Sequence, residues 1–299
     1  GKQKMNTAAM RKYQPTAELG KGGYGTVFKA RNITNDQVVA VKKIVLSEAE
    51  EGIKNSTLRE VAISKSLNHP NCIKLIETIS DPKENAVYCV YECLPMDVRA
   101  YIRQNPISTE PIIKRVAYQT LLGLQYLHSQ NIIHRDMKPH NVLIDPNTMS
   151  IKLIDFGLAR PFECQPTPMS CSCGTKFFLP PEMMLGNAQY NLKSDVWAVG
   201  LIMSQMFSNK YIFPCRENEE GLMKIFQIMG SPTGELLKRY RETPKWNSQY
   251  EGHRGSGIDD FMGQASQEAK EVFRGLCNID WERRFGCEEA LQHPWFADQ

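Results

Sequence analysis

No stretch of this chain is apolar for long enough to cross a bilayer as a helix. The longest run, Val196–Met203, falls far short of the roughly 20 residues needed. The opening Gly1-Lys2-Gln3-Lys4-Met5 lacks the apolar core of a secretory signal. The nine cysteines include no C-x-x-C spacing, and their number is odd. That excludes a disulfide framework and the common zinc patterns, and points to a reducing cytoplasmic or nuclear setting. A net charge of only +3 gives no electrostatic basis for nucleic acid or a membrane surface as partner. Internal repeats and low-complexity segments are also missing. What remains is an ordinary globular composition, with 299 residues and 41% hydrophobic, enough for two lobes.

The chain is organised around His134-Arg135-Asp136-Met137-Lys138-Pro139-His140-Asn141, followed shortly by Asp155-Phe156-Gly157. Between them, Val142-Leu143-Ile144 and Ile151-Lys152-Leu153-Ile154 flank the turn residues Asp145-Pro146-Asn147, the pattern of a short hairpin. A hairpin returns its end to its start, so oxygens of Asn141 and Asp155 are expected to meet. Two short oxygen-bearing arms suit Mg²⁺, which takes few protein ligands alongside phosphate oxygens. Asp136 and Lys138 leave the same loop, an acceptor beside a cation. Together these are the parts that phosphoryl transfer requires.

Upstream, strand-like alternation from Tyr13 is interrupted by Gly20-Lys21-Gly22-Gly23-Tyr24-Gly25. Glycines let backbone N–H groups approach phosphate oxygens. Alone, this pattern also fits a dinucleotide-binding fold or a plain tight hairpin. A helix follows the last glycine in the former, whereas β-formers (Thr26-Val27-Phe28) follow here, which favours a strand–turn–strand flap. Val38–Ile44 then reads as a buried strand carrying Lys42. A helix is expected over Asn55–Leu67, capped by Ser56 or Thr57, with an apolar stripe of Leu58, Val61, Ala62 and Ile63. Glu60 beside that stripe would pair with Lys42, which otherwise lacks a counter-charge.

Strands are expected at Ile73–Ile79 and Val87–Tyr91, and Glu92-Cys93-Leu94-Pro95 as a connector where the β-rich half ends. Beyond it the apolar residues take helical spacing, from Ile112 to Leu127. Val196–Met203 is apolar all round, the mark of a buried helix, with Asp195 at its start suited to the helix dipole. A last helix is expected over Glu288–Phe296, stopping at Pro294.

These motifs make the chain resemble eukaryotic protein kinases over roughly Tyr13 to Phe296. The resemblance implies an α+β, bilobal kinase fold: an extension over 1–12, a small antiparallel β lobe with one regulatory helix over 13–94, and a larger helical lobe over 95–299. It implies ATP and Mg²⁺ as cofactors. Gly20, Lys21, Gly22, Gly23, Tyr24 and Gly25 would cover ATP, Lys42 braced by Glu60 would hold its α/β-phosphates, and Val27, Ala40 and Leu143 would line the nucleotide. Glu92 and Leu94 would offer backbone groups to adenine, and Asp97 would reach the ribose. Asp136 would orient the substrate hydroxyl and accept its proton, Lys138 would neutralise charge at the γ-phosphate, and Asn141 and Asp155 would hold the metal.

H-R-D-x-K resembles Ser/Thr kinases rather than tyrosine kinases. Within the family, Asn55–Glu60 (N-S-T-L-R-E) resembles the cyclin-binding helix of cyclin-dependent kinases, in the same group as mitogen-activated kinases. D-F-G-L-A-R, Gly230-Ser231-Pro232-Thr233 and Pro244-Lys245-Trp246 also fit. This implies a cyclin-like subunit as partner and protein substrates. Arg59, Arg135 and Arg160 stand where a phosphorylated activation loop would be gathered, with Ser170 as the phosphate carrier, and Tyr24 matches an inhibitory tyrosine. The alternatives are a mitogen-activated-like kinase, against which the lack of a T-x-Y pair argues, and a non-catalytic nucleotide-binding scaffold. Departures from the family are Pro180-Pro181-Glu182 for alanine–proline–glutamate, Leu179 for an arginine, Gly174 for a valine, and the Cys164–Cys173 loop. Gly174 is able to adopt the backbone that favours proline after the acceptor, but Leu179 removes an anchor for it. Glu182 is expected to pair with Arg284.

Overall fold

The structure, a computed structural model, describes residues 10–22, 25–45, 55–106, 108–162, 174–187 and 190–299. Gly23, Tyr24 and Ser170 lie outside the described residues, as do the side chains of Lys21, Gly22 and Asn55–Leu58. The chain forms two compact units, one of residues up to Pro95 together with Ile154–Gly157, the other of Met96–Leu153 and Leu158–Gln299. The four residues Ile154–Gly157, around the D-F-G motif, thus group with the first unit.

The first unit is an antiparallel sheet of β1 (Tyr13–Gly22), β2 (Gly25–Asn32), β3 (Val38–Val45), β4 (Leu75–Asp81) and β5 (Ala86–Glu92), in the order β1-β2-β3-β5-β4. The strand alternation divides its faces. Val39 and Val41 are buried in a cluster with Met10, Tyr13, Ala30, Ile79, Tyr88 and Val90. Ala40 and Lys42 therefore point to the opposite face, where Val27 is the register partner of Lys42. Gly25 is fixed by geometry: its φ is +133°, and a Cβ there would lie 2.1 Å from the carbonyl oxygen of Lys43.

Helix α1 (Asn55–Ser66) begins at Asn55, so Ser56 and Thr57 lie inside its first turn rather than ahead of it as caps. Its buried face also differs from the expected stripe. Ala62 is exposed, and Glu60, Ile63, Ser64 and Leu67 are buried, at positions i, i+3, i+4 and i+7. A charged residue takes the central place on that face because Lys42 accompanies it.

The second unit is mainly helical. It opens with β6 (Met96–Asp97), α2 (Val98–Gln104), α3 (Glu110–Ser129) and β7 (Ile132–Ile133). The hairpin follows as β8 (Val142–Asp145) and β9 (Ser150–Leu153), then β10 (Arg160–Pro161). Val142 pairs with Leu153, and β6 adds to β8 at Ile144 and Leu143. The remaining helices are α4 (Pro181–Met184), α5 (Lys193–Ser208), α6 (Asn218–Met229), α7 (Gly234–Arg241), α8 (Asp259–Met262), α9 (Gln267–Leu276) and α10 (Cys287–Leu291). Apolar all round, α5 is buried from Ser194 to Phe207 and packs on α3, α8 and α9. The last expected helix is shorter than its apolar pattern: α10 ends at Leu291, and Pro294–Phe296 forms a separate 3-10 turn, because proline cannot continue the ladder.

Candidate active site

In the first unit Lys42 is nearly buried, and its Nζ donates to Glu60 Oε1. Asp155 Oδ1 lies 3.6 Å from the same ammonium. Burial works against the charge on Lys42, but the carboxylates of Glu60 and Asp155 outweigh it and raise its pKa above the ordinary lysine value. Burial raises the Glu60 carboxyl against the opposing pull of Lys42. Asp155 has φ +64°, a conformation that non-glycine residues adopt at a cost unless neighbours enforce it. The Gly157 amide faces Asp155 Oδ1 at 3.4 Å. Gly20 pairs with Val27 in the β1–β2 ladder. At the end of β5 the Glu92 amide donates to the Lys74 carbonyl at 3.1 Å, and its side chain accepts from the Lys74 amide at 2.7 Å. The Leu94 carbonyl faces the Cys93 thiol at 3.7 Å.

In the second unit the catalytic-loop candidates converge. Asp136 Oδ2 accepts from Lys138 Nζ at 2.8 Å. Asn141 Nδ2 donates to the Asp136 carbonyl at 2.8 Å and to Oδ2 at 3.2 Å. Because the amide nitrogen of Asn141 is committed to Asp136, its Oδ1 is the atom available to a cation. Asp97 caps α2, accepting from the Ala100 amide at 2.7 Å, so one oxygen of the predicted ribose ligand is already engaged. Leu143 sits in β8 opposite Asp97 and Lys152.

Two residues with structural leverage on this loop were not singled out by the sequence reading for that role. Thr175 donates to Asp136 Oδ1 from its amide at 3.0 Å and from its hydroxyl at 2.9 Å, and Lys138 donates to that hydroxyl at 2.9 Å. The only sequence signal was its place after Gly174, ahead of Pro180-Pro181-Glu182. Asp195 does more than face a helix dipole. Almost fully buried, it accepts from the amides of His134 and Arg135, each at 2.8 Å, and lies 2.9 Å from His128 Nε2. Burial opposes its ionisation, but the His128 contact and the His134 amide hold its pKa below the ordinary aspartate value.

The three arginines differ in their commitments. Arg135 is buried at φ +68° and donates to the Leu158 carbonyl at 2.7 Å and to the Tyr190 hydroxyl at 3.2 Å. Arg160 has a solvent-shielded Nε without a partner among the described residues. Arg59 is half-buried on α1. Their arrangement around Ser170 lies outside the described residues. Gly174 takes φ +96°, and a Cβ there would lie 2.7 Å from the Arg135 carbonyl oxygen and 2.9 Å from Leu179 Cδ2. The expected Glu182–Arg284 pair is present and bidentate, at 2.6 and 2.8 Å.

An α+β fold with an N-terminal five-stranded antiparallel sheet, a lysine–glutamate pair beneath it and an Asp–Lys–Asn loop in a helical unit defines a phosphotransferase class. A family model for the protein kinase domain matches residues 13–296. The chain belongs to the protein kinase family.

Proposed function

We propose that this chain is a serine/threonine protein kinase of the cyclin-dependent type. The acceptor class rests on the resemblance of H-R-D-x-K to Ser/Thr kinases, with Lys138 Nζ donating to Asp136 Oδ2 at 2.8 Å. Asp136 orients the acceptor hydroxyl and takes its proton as the oxygen–phosphorus bond forms and the bond to the departing diphosphate breaks. Lys138 offsets charge on the phosphoryl oxygens. Lys42, kept charged by Glu60, holds the α- and β-phosphates. The donor set of Asn141 Oδ1 and the Asp155 carboxylate is all oxygen, as Mg²⁺ requires. Asn141 and Asp155 would hold such an ion, which would offset the charge on the phosphates. Val27 and Ala40, on the sheet face that carries Lys42, receive the base.

A cyclin-like subunit seated on Asn55–Glu60 would hold Glu60 against Lys42. Burial raises the Glu60 carboxyl, so the pair depends on being kept closed. Phosphate on Ser170 and on Tyr24 would switch activity up and down respectively. The positive φ of Gly174 supports proline after the acceptor.

The test is phosphoryl transfer from labelled ATP to a Ser/Thr peptide panel, with and without the subunit that co-purifies with the chain. Phosphoserine or phosphothreonine, stimulation by the subunit and preference for proline after the acceptor are expected. Phosphotyrosine alone, or ATP binding without transfer, would overturn the proposal.

A further inference from the structure

Thr175 meets Asp136 from the head of a single 3-10 turn, Lys176–Phe178. So short a turn has few hydrogen bonds of its own to fix it. Two ties from outside supply what it lacks. On one side Tyr211 packs edge-on against Phe177 at 4.9 Å and Phe178 at 6.1 Å. On the other, Lys176 reaches the stretch that leads into α6. Its Nζ donates to the Arg216 carbonyl at 2.7 Å and to Glu217 Oε2 at 2.8 Å.

The far end of the second tie is itself braced. Glu217 is the N-cap residue of α6, and the Arg216 amide donates to Glu220 Oε2 at 2.8 Å. The turn packs on α5 and α6, and α6 packs on α4. Lys176 therefore links a fixed helix start to the residue beside Thr175. Its side chain is 43% exposed and that of Glu217 78%, so the ion pair adds little to the stability of the whole chain. Its effect is local. Lys176 and Thr175 are chain neighbours, and slack at one is passed to the other through one peptide link.

We propose that Lys176 is a positioning residue: by its bonds to the Arg216 carbonyl and Glu217 it holds the turn so that the Thr175 amide and hydroxyl stay on Asp136 Oδ1. It acts through Thr175 and has no bond of its own to Asp136 among the described residues. The proposal rests on the kinase reading above. It adds to that reading a control on the catalytic loop from a segment 40 and 41 residues further along the chain.

The experiment measures transfer from labelled ATP to a Ser/Thr peptide by the chain with its co-purifying subunit, unaltered and as Lys176→Met, Lys176→Arg and Glu217→Lys. Exchange of the Thr175 amide hydrogen is followed by NMR in each. Lys176→Met keeps the apolar stem and loses the donors. Its kcat is expected to fall about three- to tenfold with the KM for ATP unchanged, and its Thr175 amide to exchange faster by a similar factor. The thermal midpoint should scarcely move. Lys176→Arg keeps donors and should restore most of kcat. Glu217→Lys sets two like charges together and should act as Lys176→Met does, so it decides where that variant fails to fold. Unchanged kcat in Lys176→Met would overturn the proposal. So would a raised peptide KM with kcat unchanged, which marks a substrate contact, and a lowered kcat with Thr175 exchange unmoved. Faster exchange throughout the helical unit with a lowered midpoint would mark a merely structural role and overturn it too. Where the unaltered chain transfers no phosphate, the kinase reading fails, and Thr175 exchange alone decides the role of Lys176: faster in Lys176→Met supports it, and unchanged overturns it.

Discussion

Two buried ion pairs, one in each unit, differ in how completely they are satisfied. Arg284 and Glu182 have side chains 0% and 1% exposed. Both carboxylate oxygens are taken by the guanidinium fork, and Arg284 Nε donates to the Asn278 carbonyl at 3.0 Å. Ser194 donates to the same carboxylate at 3.2 Å, and the guanidinium lies 5.0 Å from the Trp197 ring centroid. Lys42 and Glu60 join through one carboxylate oxygen, and the second carboxylate, Asp155, stands off at 3.6 Å. A planar fork fixes direction, whereas an ammonium is a point charge on a flexible stem. The first pair acts as a rivet for the helical unit, and the second is the one that, under the proposed function, would hold phosphate oxygens.

The largest expected effect falls on the rivet. Arg284→Ala leaves a buried carboxylate uncompensated and should cost about 3–5 kcal/mol of unfolding free energy, read by denaturant titration. Lys42→Met should cost less, about 1–2 kcal/mol, because the Glu60 carboxyl, already raised by burial, takes up a proton. Its phosphoryl-transfer rate should nevertheless fall by at least about 10²-fold. Equal stability losses in the two variants would break the contrast. The smallest effect is in pH dependence, where two buried acids carry opposite signs. The folded pKa of Asp195 is lowered, so its contribution is present above the ordinary aspartate value and is lost as pH falls through the folded value. The folded pKa of Glu60 is raised, so ionising it costs stability as pH rises from the ordinary glutamate value through the folded one. Relative to Asp195→Asn the unaltered chain should lose stability on acidification, and relative to Glu60→Gln it should gain, as read by denaturant titration across that pH range.

Much of this was legible in local pattern. The buried strand over Val38–Ile44, the hairpin around Asp145-Pro146-Asn147 and the all-apolar run Val196–Met203 follow from apolar runs and turn residues. The Lys42–Glu60 pair could be anticipated because a buried charge needs a partner, and the Glu182–Arg284 pair from the family resemblance. Other contacts between residues distant in sequence were not legible. Asp195 lies 60 residues from Arg135, whose amide it holds, and nothing near it in the chain announces that role. Thr175 lies 39 residues beyond Asp136 and had no chemistry of its own to mark it. Ala62 fitted an apolar stripe by composition, but the helix turned its buried face to Glu60 instead, since Lys42 required it.

In the proposed function Asp136, held by Lys138, Asn141 and Thr175, directs phosphoryl transfer to a hydroxyl. Its most direct test is the rate of transfer from labelled ATP to a Ser/Thr substrate by the unaltered chain and by Asp136→Ala, each purified with its co-purifying subunit and shown by thermal melt to be folded. The account predicts a loss of roughly 10²–10⁴-fold in the variant with its fold retained. Transfer by a folded Asp136→Ala chain at the unaltered rate would contradict it.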